Sequence, residues 1–103
     1  MEATTIATTI FAQLGGRRFA AMIGAKQIAL AARRVTVRFP RANGVNRLEV
    51  ELDNYDTYTV KFQYEHGVKL ATKAEFAQVY SEDLPQLFES VTGLYTSLGT
   101  MGR

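Results

Sequence analysis

The chain has 103 residues, 47% of them hydrophobic, which suits one domain around one core and excludes a disordered tail. It contains no cysteine, so a disulfide framework, a thiolate zinc site and a thiol nucleophile are all excluded. The net charge of +2 is small, but it is segregated: residues 1–47 carry eight Lys/Arg against one acid, a net of +7, and residues 48–103 carry four against nine, a net of −5. Such polarity marks either a surface for an anionic partner or two halves that neutralise each other within one fold.

Met1 to Ile6 lacks the basic start and apolar run of a signal peptide. The longest weakly polar stretch, Phe19 to Ala32, is interrupted by Lys26 and Gln27. It falls short of the about 20 apolar residues that span a bilayer. The expectation is a soluble protein of the cytoplasm with no membrane association.

Residues 3–14 read as a helix, with Ile6, Ile10, Phe11 and Leu14 on one face. Thr4 or Thr5 is placed to cap its start, and Gly15-Gly16 to end it. Residues 18–32 admit two readings. The alanines favour helix, whereas Phe19 to Ile23 also works as a buried strand. The preferred reading is that strand, a turn at Gly24-Ala25-Lys26, and a short second strand over Gln27–Leu30.

Period-two alternation then takes over. Val35, Val37 and Phe39 alternate with Arg34, Thr36 and Arg38; Leu48, Val50 and Leu52 with Arg47, Glu49, Glu51 and Asp53; Tyr58, Val60, Phe62 and Tyr64 with Thr59, Lys61 and Gln63. Successive alternating segments predict half-buried antiparallel strands. The breaks at Pro40 to Asn46, Asn54 to Asp56 and Glu65-His66-Gly67 have turn chemistry, and a last strand runs from Val68 to about Lys73. Residues 82–92 read as an amphipathic helix through Leu84, Leu87, Phe88 and Val91, with Ser81 or Asp83 as cap, Pro85 in the first turn and Gly93 as stop. Leu94 to Leu98 is expected to pack back and Gly99 to Arg103 to fray.

The predicted fold is α+β: an antiparallel four- to five-stranded meander with an N-terminal and a C-terminal helix packed on one face, in a single domain over residues 1–103. Its expected parts are a helix at 3–14, a sheet over 18–73 and a helix at 82–92.

The alternation also predicts register. Facing apolar residues pair Phe39 with Leu48, Val37 with Val50 and Val35 with Leu52. Arg38 then meets Glu49, Arg34 meets Asp53 and Thr36 meets Glu51 on the other face. In the next hairpin Leu52 meets Tyr58, Val50 meets Val60, Leu48 meets Phe62 and Glu49 meets Lys61. Part of the basic half is thereby cancelled locally. The bases left over are Arg17, Arg18, Lys26, Arg33, Arg41 and Arg47. The first five are the candidate phosphate contacts of a nucleic-acid surface. Such a surface also needs displayed aromatics, and Phe39, Tyr58, Phe62 and Tyr64 are in phase with the core, leaving Tyr55 as the obvious exposed ring.

No constellation of acid, base and nucleophile is apparent, and no motif calls for a cofactor or a metal. His66 sits alone in a turn; Glu82 and Asp83 read as helix-dipole partners. Gly15-Gly16-Arg17-Arg18 lacks phosphate-loop spacing. The chain is expected not to be an enzyme.

Phe11 to Gly16, Phe19 to Met22, Gly24-Ala25-Lys26, Asn46 to Leu52, Asp56-Thr57-Tyr58 and, most closely, Val79-Tyr80 with Leu87 to Leu98 resemble a group of small proteins of tailed bacteriophages and prophages. The chain departs from that pattern at Ala29 to Arg34, which is richer in Gly and Asn in the group. The resemblance implies a phage origin, the host cytoplasm, and a non-enzymatic accessory role through contact with a host or phage protein, with homo-oligomerisation left open. It carries no catalytic or ligand residues. The alternative is nucleic-acid binding by the basic N-terminal half. Uncovered sheet edges and charge polarity both favour a protein partner.

Overall fold

A computed structural model describes residues 2–53 and 55–96, with side chains from Thr5 onward. Helix α1 (Glu2–Leu14) leads directly into helix α2 (Gly16–Ile23). Five strands follow: β1 (Gln27–Ala31), β2 (Arg34–Ala42), β3 (Val45–Leu52), β4 (Tyr58–His66) and β5 (Lys69–Val79). A 3₁₀ turn (Ser81–Asp83) opens into helix α3 (Leu84–Thr92). The sheet is an antiparallel meander in the order β1-β2-β3-β4-β5, so β1 and β5 are its edges. The α+β architecture is as the alternation and the terminal helices predict. Of the segment Leu94 to Leu98 expected to pack back, Thr96 is buried and donates its N–H and hydroxyl to Glu89 Oε2, while Ser97-Leu98 and Gly99 to Arg103 lie outside the described residues.

One face of the sheet is dry. Val35, Val37, Leu48, Val50, Val60 and Phe62 are buried there with Ile10, Leu14, Phe19, Leu84 and Phe88 from the three helices. Phe88 is the hub. Its ring lies 5.2 Å from Phe19, 5.4 Å from Phe39 and 6.2 Å from Phe62, so α3 meets both α2 and the sheet through one side chain.

Three main expectations are corrected, and two smaller ones with them. Phe19 to Ile23 is the second half of α2, not a strand: Phe19 and Ile23, one helical turn apart, are its buried residues, while Arg17, Arg18 and Ala21 stay exposed. Gly24 closes this helix at φ 70, with Gly24 N–H on Ala21 O and Ala25 N–H on Ala20 O, a Schellman pattern. Gly15 serves both helices. Its φ of 126 breaks α1, and a Cβ there would lie 2.9 Å from Phe19 Cβ. Thr4 and Thr5 are not caps, because α1 already begins at Glu2.

The β2–β3 register is the second correction. Ala42 pairs with Val45 across a tight Asn43-Gly44 turn, in which both residues have positive φ (51 and 83). Beyond a bulge the pairing shifts by two: Val37 meets Leu48, Val35 meets Val50, Arg34 meets Glu51, and Arg38 meets Arg47 instead of Glu49. Pro40 lies inside that bulge, where its missing N–H leaves no gap in the ladder. A shift of two preserves which face each side chain takes, so the core is unaffected. The β3–β4 register is as predicted at every pair, including Glu49 with Lys61.

Third, β5 runs to Val79 rather than to Lys73. Two irregularities in its pairing with β4, and Gln78 at φ 56, interrupt the period-two pattern that would have announced it. His66 is the last residue of β4, paired with Lys69, and the turn itself is Gly67-Val68.

Candidate functional site

The open face of the sheet holds charges, and four of them form ion pairs with one another. Arg38 Nε lies 3.4 Å from Glu65 Oε1, and Arg47 Nε lies 3.8 Å from the same oxygen. Arg47 Nη1 reaches Glu49 at 3.4 Å and also donates to Gln63 Oε1. Asn46 grips the Glu65 backbone from both sides, donating Nδ2–H to its carbonyl (2.9 Å) and accepting its N–H (2.8 Å). Gln27, Ala29, Thr36, Arg38, Arg47 and Glu65 border a recess of about 220 Å³ in this neutralised region.

The five predicted phosphate contacts are not gathered at one end of the sheet. Arg17 and Arg18 are exposed in the first turn of α2. Lys26 follows the α2 cap, its backbone N–H on Arg38 O at 2.7 Å. Arg33 lies in the β1–β2 turn, where Nε donates to Leu52 O (3.4 Å) and Nη2 to Asp53 O (3.2 Å). Arg41 is at the other end of β2, about 25 Å away at the usual strand rise. Lys26 and Arg41 share a sheet end; Arg33 stands at the opposite one.

Arg41 has a neighbour that the alternation concealed. Its guanidinium carbon lies 5.0 Å from the centroid of the Tyr64 ring. Tyr64 and His66 extend from the same strand face as Phe62, with parallel rings (8°) whose centroids are 6.2 Å apart. Phe62 is fully buried, Tyr64 half-buried and His66 exposed, so the helical cover runs out along β4 between the first and the third. Tyr64, His66, Lys69, Leu70 and Ala71 line an open recess of about 510 Å³ there, and none of these residues is acidic. Phase alone predicted a packed Tyr64. The signal that it is only half-buried was its position two residues short of His66 and the turn.

The sheet has two free edges, β1 and the longer β5, and β1 is exposed along its whole length. All five residues are exposed, and Ile28 and Leu30 keep 39% and 42% of their surface in water. At the far end of the sheet Asp53 organises the β3–β4 connection, accepting from Thr57 Oγ1 (2.6 Å), Tyr55 N–H (2.7 Å) and Thr57 N–H (3.2 Å). The Thr57 hydroxyl, then the Tyr55 amide, hold its carboxyl below the ordinary 3.8. Burial pushes the Tyr58 phenol up, opposed by its hydrogen bond to Gln13.

Among the described residues no cluster of three or more His, Asp or Glu could hold a metal ion, and no helix is long and apolar enough to cross a membrane. Compared with known proteins, the chain matches no family model, no curated protein and no solved structure.

Proposed function

We propose that this chain is a phage or prophage accessory protein that works without catalysis, by pairing an extended segment of a partner protein with the free edge of β1. The observation that carries this reading is the edge itself: five consecutive exposed residues with an unpaired backbone row, bearing Ile28 and Leu30 on one face. The strand has no charge of its own, and Lys26, Arg33 and Arg34 flank it. Lys is the usual guard against edge pairing, and here the guards stand at the ends rather than along the strand. The complementary partner is an extended segment with apolar residues toward Ile28 and Leu30, and acidic residues toward the flanking bases.

The test is site-specific photo-crosslinking from position 29 in the bacterial host, with the crosslinked peptide identified by mass spectrometry. A discrete partner peptide rich in acidic and apolar residues is the expected result. It should disappear in Arg34→Glu and in Leu30→Glu, each checked for an intact fold by circular dichroism. Crosslinks that are as abundant from an exposed position on α2, or that survive both variants, would overturn the reading.

A further inference from the structure

We infer that the uncovered end of the β4–β5 hairpin is a single-stranded nucleic-acid site in which a base packs against Tyr64 and His66 while Arg41 and Lys69 hold the adjoining phosphates. It is centred on the β4–β5 hairpin, with Arg41 reaching in from β2, and does not depend on the protein-binding reading.

Binding single strands requires two things together: π faces open to solvent, and cations spaced along a backbone. This hairpin end has the cations and two rings, His66 exposed and Tyr64 half-buried. The Tyr64 and His66 rings are parallel and adjacent, and Arg41 sits over the Tyr64 ring. Lys69 stands directly across from His66, and Ala71 across from Tyr64, a small residue that leaves room beside the ring. Leu70 also borders the recess, though as the partner of Glu65 its side chain belongs to the other face. The recess of about 510 Å³ falls in the roughly 300–1,000 Å³ range of small-molecule sites.

The sign of the charge selects the ligand. Arg41 and Lys69 are cationic, and the lining contains no carboxylate. The acid adjacent in sequence, Glu65, is directed to the other face, where Arg38 and Arg47 engage it. The patch therefore repels nothing anionic. A duplex keeps its bases stacked inside, so the exposed His66 ring and the half-buried Tyr64 ring beside it favour a single strand. An acidic peptide would satisfy the cations but leave the ring faces unused.

The experiment is fluorescence anisotropy at low salt with a labelled oligothymidylate, a duplex of equal length and polyglutamate as competitor. Saturable binding of the single strand in preference to the duplex is expected. Tyr64→Ala should weaken it about tenfold, Tyr64→Phe should not, and Arg41→Gln/Lys69→Gln should flatten the salt slope by about 1.4 for two phosphates. Arg17→Gln/Arg18→Gln on α2 should leave binding unchanged. Because His66 is the single histidine, its ring proton resonances report the same event in the unaltered chain, whether or not Tyr64→Ala folds. Absence of saturable binding, unshifted His66 resonances on adding the oligonucleotide, preference for duplex, equal loss in the α2 variant, or displacement by polyglutamate as effective as by oligothymidylate would each overturn the inference.

Discussion

Arg38 stands directly opposite Arg47 across the β2–β3 ladder, and both guanidinium groups turn to the same carboxylate oxygen, that of Glu65 on β4. Like charges facing each other across strands are destabilising, and a third strand supplies the counter-charge. The bulge at Pro40 creates this arrangement, because without it Arg38 would face Glu49.

Glu65→Gln should therefore uncover a repulsion rather than merely remove an attraction. The groups are partly exposed, so the expected loss is modest, about 0.5–1 kcal/mol at low ionic strength. Urea denaturation across a salt series is the measurement. The deficit should shrink as salt rises, because the repulsion is screened.

Phe88→Ala removes the ring that joins Phe19, Phe39 and Phe62. Phe88 is fully buried, so the cavity is shared by α2, β2 and β4. The expected cost is about 3–5 kcal/mol by chemical denaturation. Phe88→Leu should recover a large part of it.

Gly15→Ala and Gly44→Ala separate strain from collision. Both glycines have positive φ (126 and 83), but only at Gly15 would the new Cβ meet another atom, Phe19 Cβ at 2.9 Å. The Gly44 position is open, so the expected loss there is about 1 kcal/mol, and at Gly15 about 2–3 kcal/mol. Paired urea melts decide whether the close approach of α1 to α2 is as tight as the geometry requires.

Asp53 gives a pH dependence with a defined sign. Its folded carboxyl is held below the ordinary 3.8, first by the Thr57 hydroxyl and then by the Tyr55 amide. A depressed folded value stabilises the fold above the unfolded one, and that contribution is lost as pH falls through the folded value. The melting-temperature difference between the native chain and Asp53→Ala should be steady near neutrality and narrow below about pH 4. A difference that stays constant down to strongly acidic pH would show that Asp53 acts through the neutral loop geometry alone.

Local pattern by itself was sufficient for α1, the stop at Gly93, the faces of β2 to β4 and the whole β3–β4 register. In each of these the information is carried within one or two turns or one hairpin. Alternation decides which face a residue takes, and a slip of one residue would put Val50 and Val60 in water. The charge on the open face was legible in kind, as mutual neutralisation, because its members occupy the polar half of that alternation. What period two cannot convey is a shift of two. Arg38 with Glu49 and Arg38 with Arg47 satisfy the same faces, and the choice rests on how the backbone passes Pro40 on its way to the Asn43-Gly44 turn. Residues 19–23 were undecidable for a related reason. Five small or apolar residues bury equally well in either state; the helix buries Phe19 and Ile23 while turning Ala21 to solvent, whereas a strand would carry all three on one face. Likewise, Tyr64 has the same phase as Phe62, and only the reach of the three packed helices leaves one inside and the other beside Arg41 at the surface. The sequence by itself determined periodicity, and with it class, faces and core. The tertiary structure decided extent: where a strand is displaced, where a helix replaces a strand, and where cover ends, because each depends on packing between segments far apart in the chain.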